Sequence, residues 1–264
     1  MFFTSQDELI QNIKGTASLA NGGVKIEDPD RLRTHAIDTL VKNSVLNDSN
    51  EIRGLSRFII KSAALEMGIV PSSIQELYAA RGRGECNGFT VPAINIRGMS
   101  YDFSRSIFRA AHKLTTGPFI FEIAKSEIGY TFQQPHEIVP VILGAAIREN
   151  HLGPVFIQGD HFQVNAKSYS TDPEREIAGI KNLIRSGIDA GFYNIDIDTS
   201  TLVDLSQSTV IEQQRANFEV GAELTKYIRQ LEPEGVTISV GGEIGEVGKE
   251  NSNEGELRTY LDNF

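Results

Sequence analysis

After Gly88 five short apolar runs of strand length alternate with longer stretches whose apolar residues recur at helical spacing. The runs are FTVPAINI (89–96), PFIFEIA (118–124), PVFIQGD (154–160), FYNIDID (192–198) and VTISVGGEIG (236–245). Between them lie YDFSRSIFRAAHKL, HEIVPVILGAAIREN, DPEREIAGIKNLIRSGIDA and a long segment from about 206 to 231. A strand can reach a parallel neighbour only through a crossover long enough to hold a helix, so this alternation predicts an α/β fold with a parallel sheet over residues 89–264.

Residues 1–88 follow a different pattern. RLRTHAIDTLVKNSVL and GLSRFIIKSAALEMGI carry apolar residues at helical spacing, and VPSSIQELYAARG has serines placed to cap a further helix. The region is expected to be an all-helical extension. It ends in the glycine-rich linker RGRGECNG (81–88) and shows no chemistry of its own.

Composition removes several functions. Asp and Glu outnumber Lys and Arg by 35 to 25, and the net charge of −10 argues against binding a phosphate backbone. No apolar run approaches the roughly 18 residues of a membrane span, and MFFTSQDELIQNIKG lacks the basic head and apolar middle of a secretory signal. A cytoplasmic protein with no membrane partner is expected. Cys86 is the single cysteine, so any metal would be held by His, Asp or Glu.

A doubly wound sheet and an eight-stranded (β/α)8 TIM-type barrel both fit the alternation. No G-x-G-x-x-G follows the first strand, whereas Asn95, Glu122, Asp160, Asp198 and Glu243 fall where strands end, which favours the barrel. Barrel chemistry sits at the C-terminal strand ends, and this gathers Asp160, His161, Asp198 and Glu243 on one rim. Three carboxylates beside an imidazole repel one another without a cation, and a divalent metal supplies one; the imidazole favours zinc. Of the two acids on this strand Asp198 is taken as the one facing inward, and Asp196 is left to cap or pair on the helix side. His35, His112, His136 and His151 fall in or beside predicted helices as packed or solvated residues.

Four segments, VPAINIRGMS, QGDHFQ, NIDIDTS and VGGEIGEVG, occur in an order that resembles the class II, metal-dependent ketose-bisphosphate aldolases of the fructose and tagatose type. The resemblance implies reversible aldol cleavage of a ketose 1,6-bisphosphate to dihydroxyacetone phosphate and an aldehyde, with Zn2+ as cofactor. It implies His161 as a zinc ligand and Asp160 as the acid/base at the C4 hydroxyl. Asp198 and Glu243 match acidic positions that hold the metal in an alternative location. Asn95 and Ser126 match substrate-binding positions, and Glu250 a proton-transfer role at C3. A phosphorylated ketose substrate and a homo-oligomer, dimer or larger, are further implications.

The family's other histidine ligands and its phosphate loops come from later strands than the five found here. A C-terminally truncated, incomplete barrel is therefore expected, since a closed one has eight strands in about 250 residues. The alternatives are a non-catalytic aldolase-related partner subunit and a phosphosugar-binding barrel; VGGEIGEVG looks like the catalytic branch.

Overall fold

The computed structural model describes residues 1–20, 22–245 and 251–264. Its strands are β1 (Ala17–Ala20), β2 (Gly23–Ile26), β3 (Ile69–Ser72), β4 (Ala93–Asn95), β5 (Ile120–Ala124), β6 (Gly153–Gln163), β7 (Asn194–Asp198) and β8 (Ser239–Gly242). The last five fall on the five apolar runs. β4 pairs with β5, β6 with β7 and β7 with β8, all parallel, and helices connect successive strands. The chain is thus an α/β protein with mostly parallel strands. Among the described residues no helix is long and apolar enough to cross a membrane.

The chain forms two compact units, each discontinuous in sequence. One comprises Met1–Ser72, Gly88–Glu122 and Glu127–Ile157, the other Ser73–Asn87, Ile123–Ser126 and Gln158–Phe264.

The first unit corrects the expectation of an all-helical N-terminal region. Helices Gln6–Ile13, Ile37–Leu46 and Asn50–Glu66 are present, but β1 and β2 form an antiparallel hairpin and β3 pairs in parallel with the start of β6, Ile69 opposite Gly153. Helical periodicity is blind to both. The hairpin signal is the Asn-Gly dipeptide at 21–22, with Gly22 at φ +76°, where a side chain is strained. β3 is only four residues long and contains Pro71, which lacks a backbone donor and so suits a strand with a single neighbour.

Helix Pro135–Arg148 is apolar on nearly every side, and its residues from Ile138 to Ile147 are all buried. It lies so close to helix Ile37–Leu46 that a Cβ on Gly144 would stand 2.4 Å from Val41 Cγ2. Close-packed interiors tolerate such insertions poorly. Gly144→Ala is expected to destabilise the protein by about 1–3 kcal/mol in chemical denaturation, and adding Val41→Ala should recover part of that loss.

In the second unit β7 lies between the distal half of β6 and β8. Helix Pro173–Ala190 starts at Asp172, whose carboxylate accepts from the Arg175 N–H at 3.1 Å, and ends at Gly191 in the left-handed region. It buries the stripe Ile177, Ile180, Ile184 and Ile188. Helix Val210–Leu231 starts at Thr209 and buries Phe218, Leu224 and Ile228.

Candidate metal-binding site

The site begins with a break in the pairing of β6. Gly159 stands opposite Ile195 and Phe162 opposite Ile197, so β6 advances three residues while β7 advances two. The extra residue is a β-bulge, and His161 within it has φ +43°. In a regular pleat Asp160 and His161 would point to opposite faces. The bulge turns them together, and His161 Nδ1 lies 3.0 Å from Asp160 Oδ1.

The glycine before the pair has a packing reason. A Cβ on Gly159 would sit 2.4 Å from the ring of Phe162, which is wholly buried. Only a residue without a side chain lets the ring fold back over the strand.

Asp196 on β7 completes the cluster. Its Oδ2 accepts from the His161 backbone N–H at 3.2 Å and lies 3.4 Å from His161 Nδ1. Its neighbour on β8 is Gly241, where a Cβ would stand 2.6 Å from Asp196 Oδ1. Asp160, His161 and Asp196 each offer a ligand atom, and these atoms lie within 4.8 Å of one another. One imidazole nitrogen and two carboxylates form a donor set suited to a divalent metal.

The expected division of labour between Asp196 and Asp198 is reversed. The structure places Asp196, not Asp198, against the imidazole. Asp198 is 2% exposed, and its Oδ1 accepts from the Ser200 N–H at 3.1 Å and the Ser200 hydroxyl at 2.7 Å. Its Oδ2 accepts from the Gln163 amide. Two residues apart on β7, the two acids point to the same face, so the expectation of opposite faces fails; which of them meets the imidazole is decided by the β6 bulge and the space at Gly241, which no residue-type pattern reveals.

Glu243 lies just beyond β8, outside the close trio, and the helix Val210–Leu231 holds its backbone. Asn217 donates to the Glu243 carbonyl at 2.9 Å and Gln214 to the Ile244 carbonyl at 2.7 Å, while the Thr199 hydroxyl donates to Asn217 Oδ1 at 2.6 Å. Asn217 and Gln214 are fully buried. The strand ends of β7 and β8 are therefore tied to one helix through a satisfied polar network.

Electrostatics mark the cluster as short of positive charge. Partial burial alone would lower the His161 pKa, but Asp160, Asp196, Asp198 and Glu243 outweigh it and hold the pKa above its ordinary 6.5. Asp196 and Glu243 are both pushed up from the usual carboxylate range, first by burial and then by the neighbouring acids.

The other sequence candidates lie elsewhere or are engaged. Asn95 belongs to the first unit, where its amide donates to the buried Glu127 at 3.0 Å. Ser126 is exposed in the first turn of helix Lys125–Thr131. Glu250 lies outside the described residues. His35, His112, His136 and His151 all belong to the first unit. Sequence reasoning missed Lys125, which donates to the Gln163 carbonyl at 2.7 Å and pairs with Glu176 at 3.3 Å, bracing the end of β6. A lysine directly after an apolar strand was the available signal.

No family model matches the chain, and no curated protein matches it. Among solved structures, a probable tagatose 6-phosphate kinase from Sinorhizobium meliloti 1021 superposes with a TM-score of 0.49 at 17% identity, over 67% of this chain and 44% of its own length. The chain thus spans less than half of that protein.

An NMR pH titration is expected to show the His161 midpoint above 6.5, and Asp196→Asn should lower it by removing an adjacent negative charge. Gly241→Ala should lower it in the same direction by displacing the Asp196 carboxylate.

Proposed function

We propose that His161 and Asp196, with Asp160 and Glu243 near them, hold a divalent metal, zinc in the first instance. The chemistry they serve is class II aldolase cleavage of a phosphorylated ketose. The parallel strands would then be part of a TIM-type barrel whose C-terminal rim carries the site. The observation that carries the reading is the bulge that turns Asp160 and His161 onto Asp196, because a strained backbone conformation beside an acidic cluster is common where side chains are aimed at a ligand.

A bound divalent ion supplies Lewis-acid polarisation of the ketose carbonyl and offsets the charge of the enediolate. His161 and Asp196 are the residues that would hold it, fixed by the backbone hydrogen bond between them. Asp160 is the residue for proton transfer: its Oδ1 lies 3.0 Å from His161 Nδ1, and its side chain is 18% exposed. It takes the proton of the C4 hydroxyl while the C3–C4 bond breaks and that electron pair passes to the C3 fragment. One product is the aldehyde, and the other is the enediolate of dihydroxyacetone phosphate, which takes a proton from solvent at C3 while Asp160 returns the C4 proton to solvent. A positioned acid/base of this kind contributes roughly 100-fold to 10,000-fold.

One observation favours the second reading, a non-catalytic aldolase-related subunit. Among the described residues a single imidazole stands in the cluster, which is a sparse ligand set for tight zinc.

Calorimetric titration with zinc and with manganese, alongside cleavage assays on fructose and tagatose bisphosphates, separates the two. The aldolase reading expects stoichiometric metal, cleavage of one substrate, and loss of roughly 100-fold or more in affinity on His161→Ala. Stoichiometric metal without cleavage would favour the subunit reading, and no metal at any tested concentration would sink both the site and the chemistry built on it.

The pH dependence follows from the shifts. A metal must displace the proton of His161, whose folded pKa is raised, so affinity is expected to climb as pH rises through that value. In the metal-free protein the same raised pKa contributes stability that is present at acid pH and lost as pH rises through it. The raised pKa values of Asp196 and Glu243 act in the same direction, because ionising them costs more in the folded chain. The gain in Tm on adding metal should accordingly be larger at pH 8 than at pH 6.

A further inference from the structure

His112 and His151, both in the first unit, meet in a geometry for which the chemistry at Asp160 and His161 has no use. His112 stands exposed in the last turn of helix Ser100–Leu114, and His151 half-buried in the turn between helix Pro135–Arg148 and β6. Two of their ring nitrogens, His112 Nε2 and His151 Nδ1, lie 3.3 Å apart. The ring planes are within 5° of parallel and the centroids 5.5 Å apart, a separation that leaves both nitrogens close to the line joining the centroids. The rings therefore meet edge to edge in one plane, each presenting a nitrogen to the other.

The tautomer of His151 is fixed. Its Nε2 lies 3.2 Å from the Pro154 carbonyl oxygen, which can only accept, so Nε2 carries the proton and Nδ1 keeps its lone pair. Burial lowers the His151 pKa from its ordinary 6.5; the bond to Pro154 opposes that shift and His112 adds to it, so the ring is neutral at pH 7. The buried Phe108 backs the ring at a centroid distance of 4.8 Å and is itself packed against Phe119 and Phe121. A neutral imidazole that gives its second N–H to a backbone carbonyl is in the state in which histidine binds metal, because that bond sets both tautomer and ring direction.

The spacing fits an ion. Two nitrogens bound to one tetrahedral centre at about 2.0–2.1 Å stand roughly 3.3–3.4 Å apart. An ion set slightly to the side of the line between His112 Nε2 and His151 Nδ1 requires only a rotation of the exposed His112 ring. The Nε2 proton of His112 passes to its own Nδ1, so two neutral imidazoles bind with no net loss of a proton. Among the described residues no third His, Cys, Asp or Glu stands close enough to join them, and water completes the coordination. Imidazoles without a carboxylate select zinc, copper(II) or nickel over magnesium and calcium, which take oxygen ligands.

We propose that His112 and His151 form a two-histidine site for a zinc-class divalent ion, one that ties the last turn of helix Ser100–Leu114 to the turn before β6. The site does not depend on the reading of Asp160, His161 and Asp196, which belong to the second unit. Two protein ligands fall short of the three or four of a catalytic or structural zinc, so affinity in the micromolar range is expected.

Zinc titration of the full 264-residue chain carrying His161→Ala, which removes the imidazole of the other cluster, tests it by calorimetry and by NMR of the ring nitrogens. Zinc is expected to shift His112 Nε2 and His151 Nδ1 together, with one equivalent saturating both, while His35 and His136 stay in place and magnesium has no effect. Adding His112→Ala, at an exposed position, should weaken that binding by at least about 10-fold with unchanged circular dichroism. The ring shifts are read with both histidines present, so they stand apart from any folding defect of a variant. A pair that serves only as a hydrogen bond behaves otherwise. No shift at either ring in millimolar zinc, a shift confined to one of them, or binding at His151 that is unchanged by His112→Ala would each overturn the proposal.

Discussion

The contact on which the site depends is the ring of Phe162 folded over Gly159. With the ring buried against a residue that has no side chain, β6 cannot continue its regular pleat and takes up one extra residue. That residue reverses the face of His161 and sets it beside Asp160. Holding a histidine at positive φ costs on the order of 1–3 kcal/mol, and burial of a phenylalanine stabilises by a similar amount. The bulge is therefore sustained by packing that lies outside the cluster it creates. Stability and the arrangement of the site share one cause.

Four carboxylates near one imidazole set the second constraint, and the protein meets it in two ways. Asp198 has its oxygens occupied by donors from Ser200 and Gln163, and it serves the turn after β7. Asp196 accepts one backbone N–H, from His161, but burial and the neighbouring acids still push it, like Glu243, toward protonation, while His161 is pushed toward the charged state. A cluster that raises the pKa of its base and its acids alike is one that gains from added positive charge. The four acids, alike in a list of acidic residues, thus differ in what already hydrogen-bonds to them.

Rigidity around the cluster comes from buried polar groups that are fully used. Thr199, Asn217 and Gln214 connect the turn after β7 to the backbone after β8, with every link in hydrogen-bond range. Lys125 and Glu176 do the same for the end of β6. The two strand glycines, Gly159 and Gly241, leave the space into which the neighbouring Phe162 and Asp196 side chains pack. Precise placement here comes from these second contacts and not from the strands alone.

The sequence by itself determined the α/β class, the positions of the five later strands and the pairing of Asp160 with His161 at a strand end. Those features rest on hydrophobic periodicity and adjacency, which are local. It could not supply the β1–β2 hairpin as strand structure or β3 as a neighbour of β6, because these short segments lie among helical patterns and not in apolar runs of seven to ten residues such as hold the later strands. Nor could it choose Asp196 over Asp198. That choice needed the register of β6 on β7, the ring of Phe162 and the empty side of Gly241, three facts separated by up to about eighty residues along the chain. Only tertiary structure brings them together, because the direction of a strand side chain is fixed by its neighbours' register and packing, and one inserted residue reverses it.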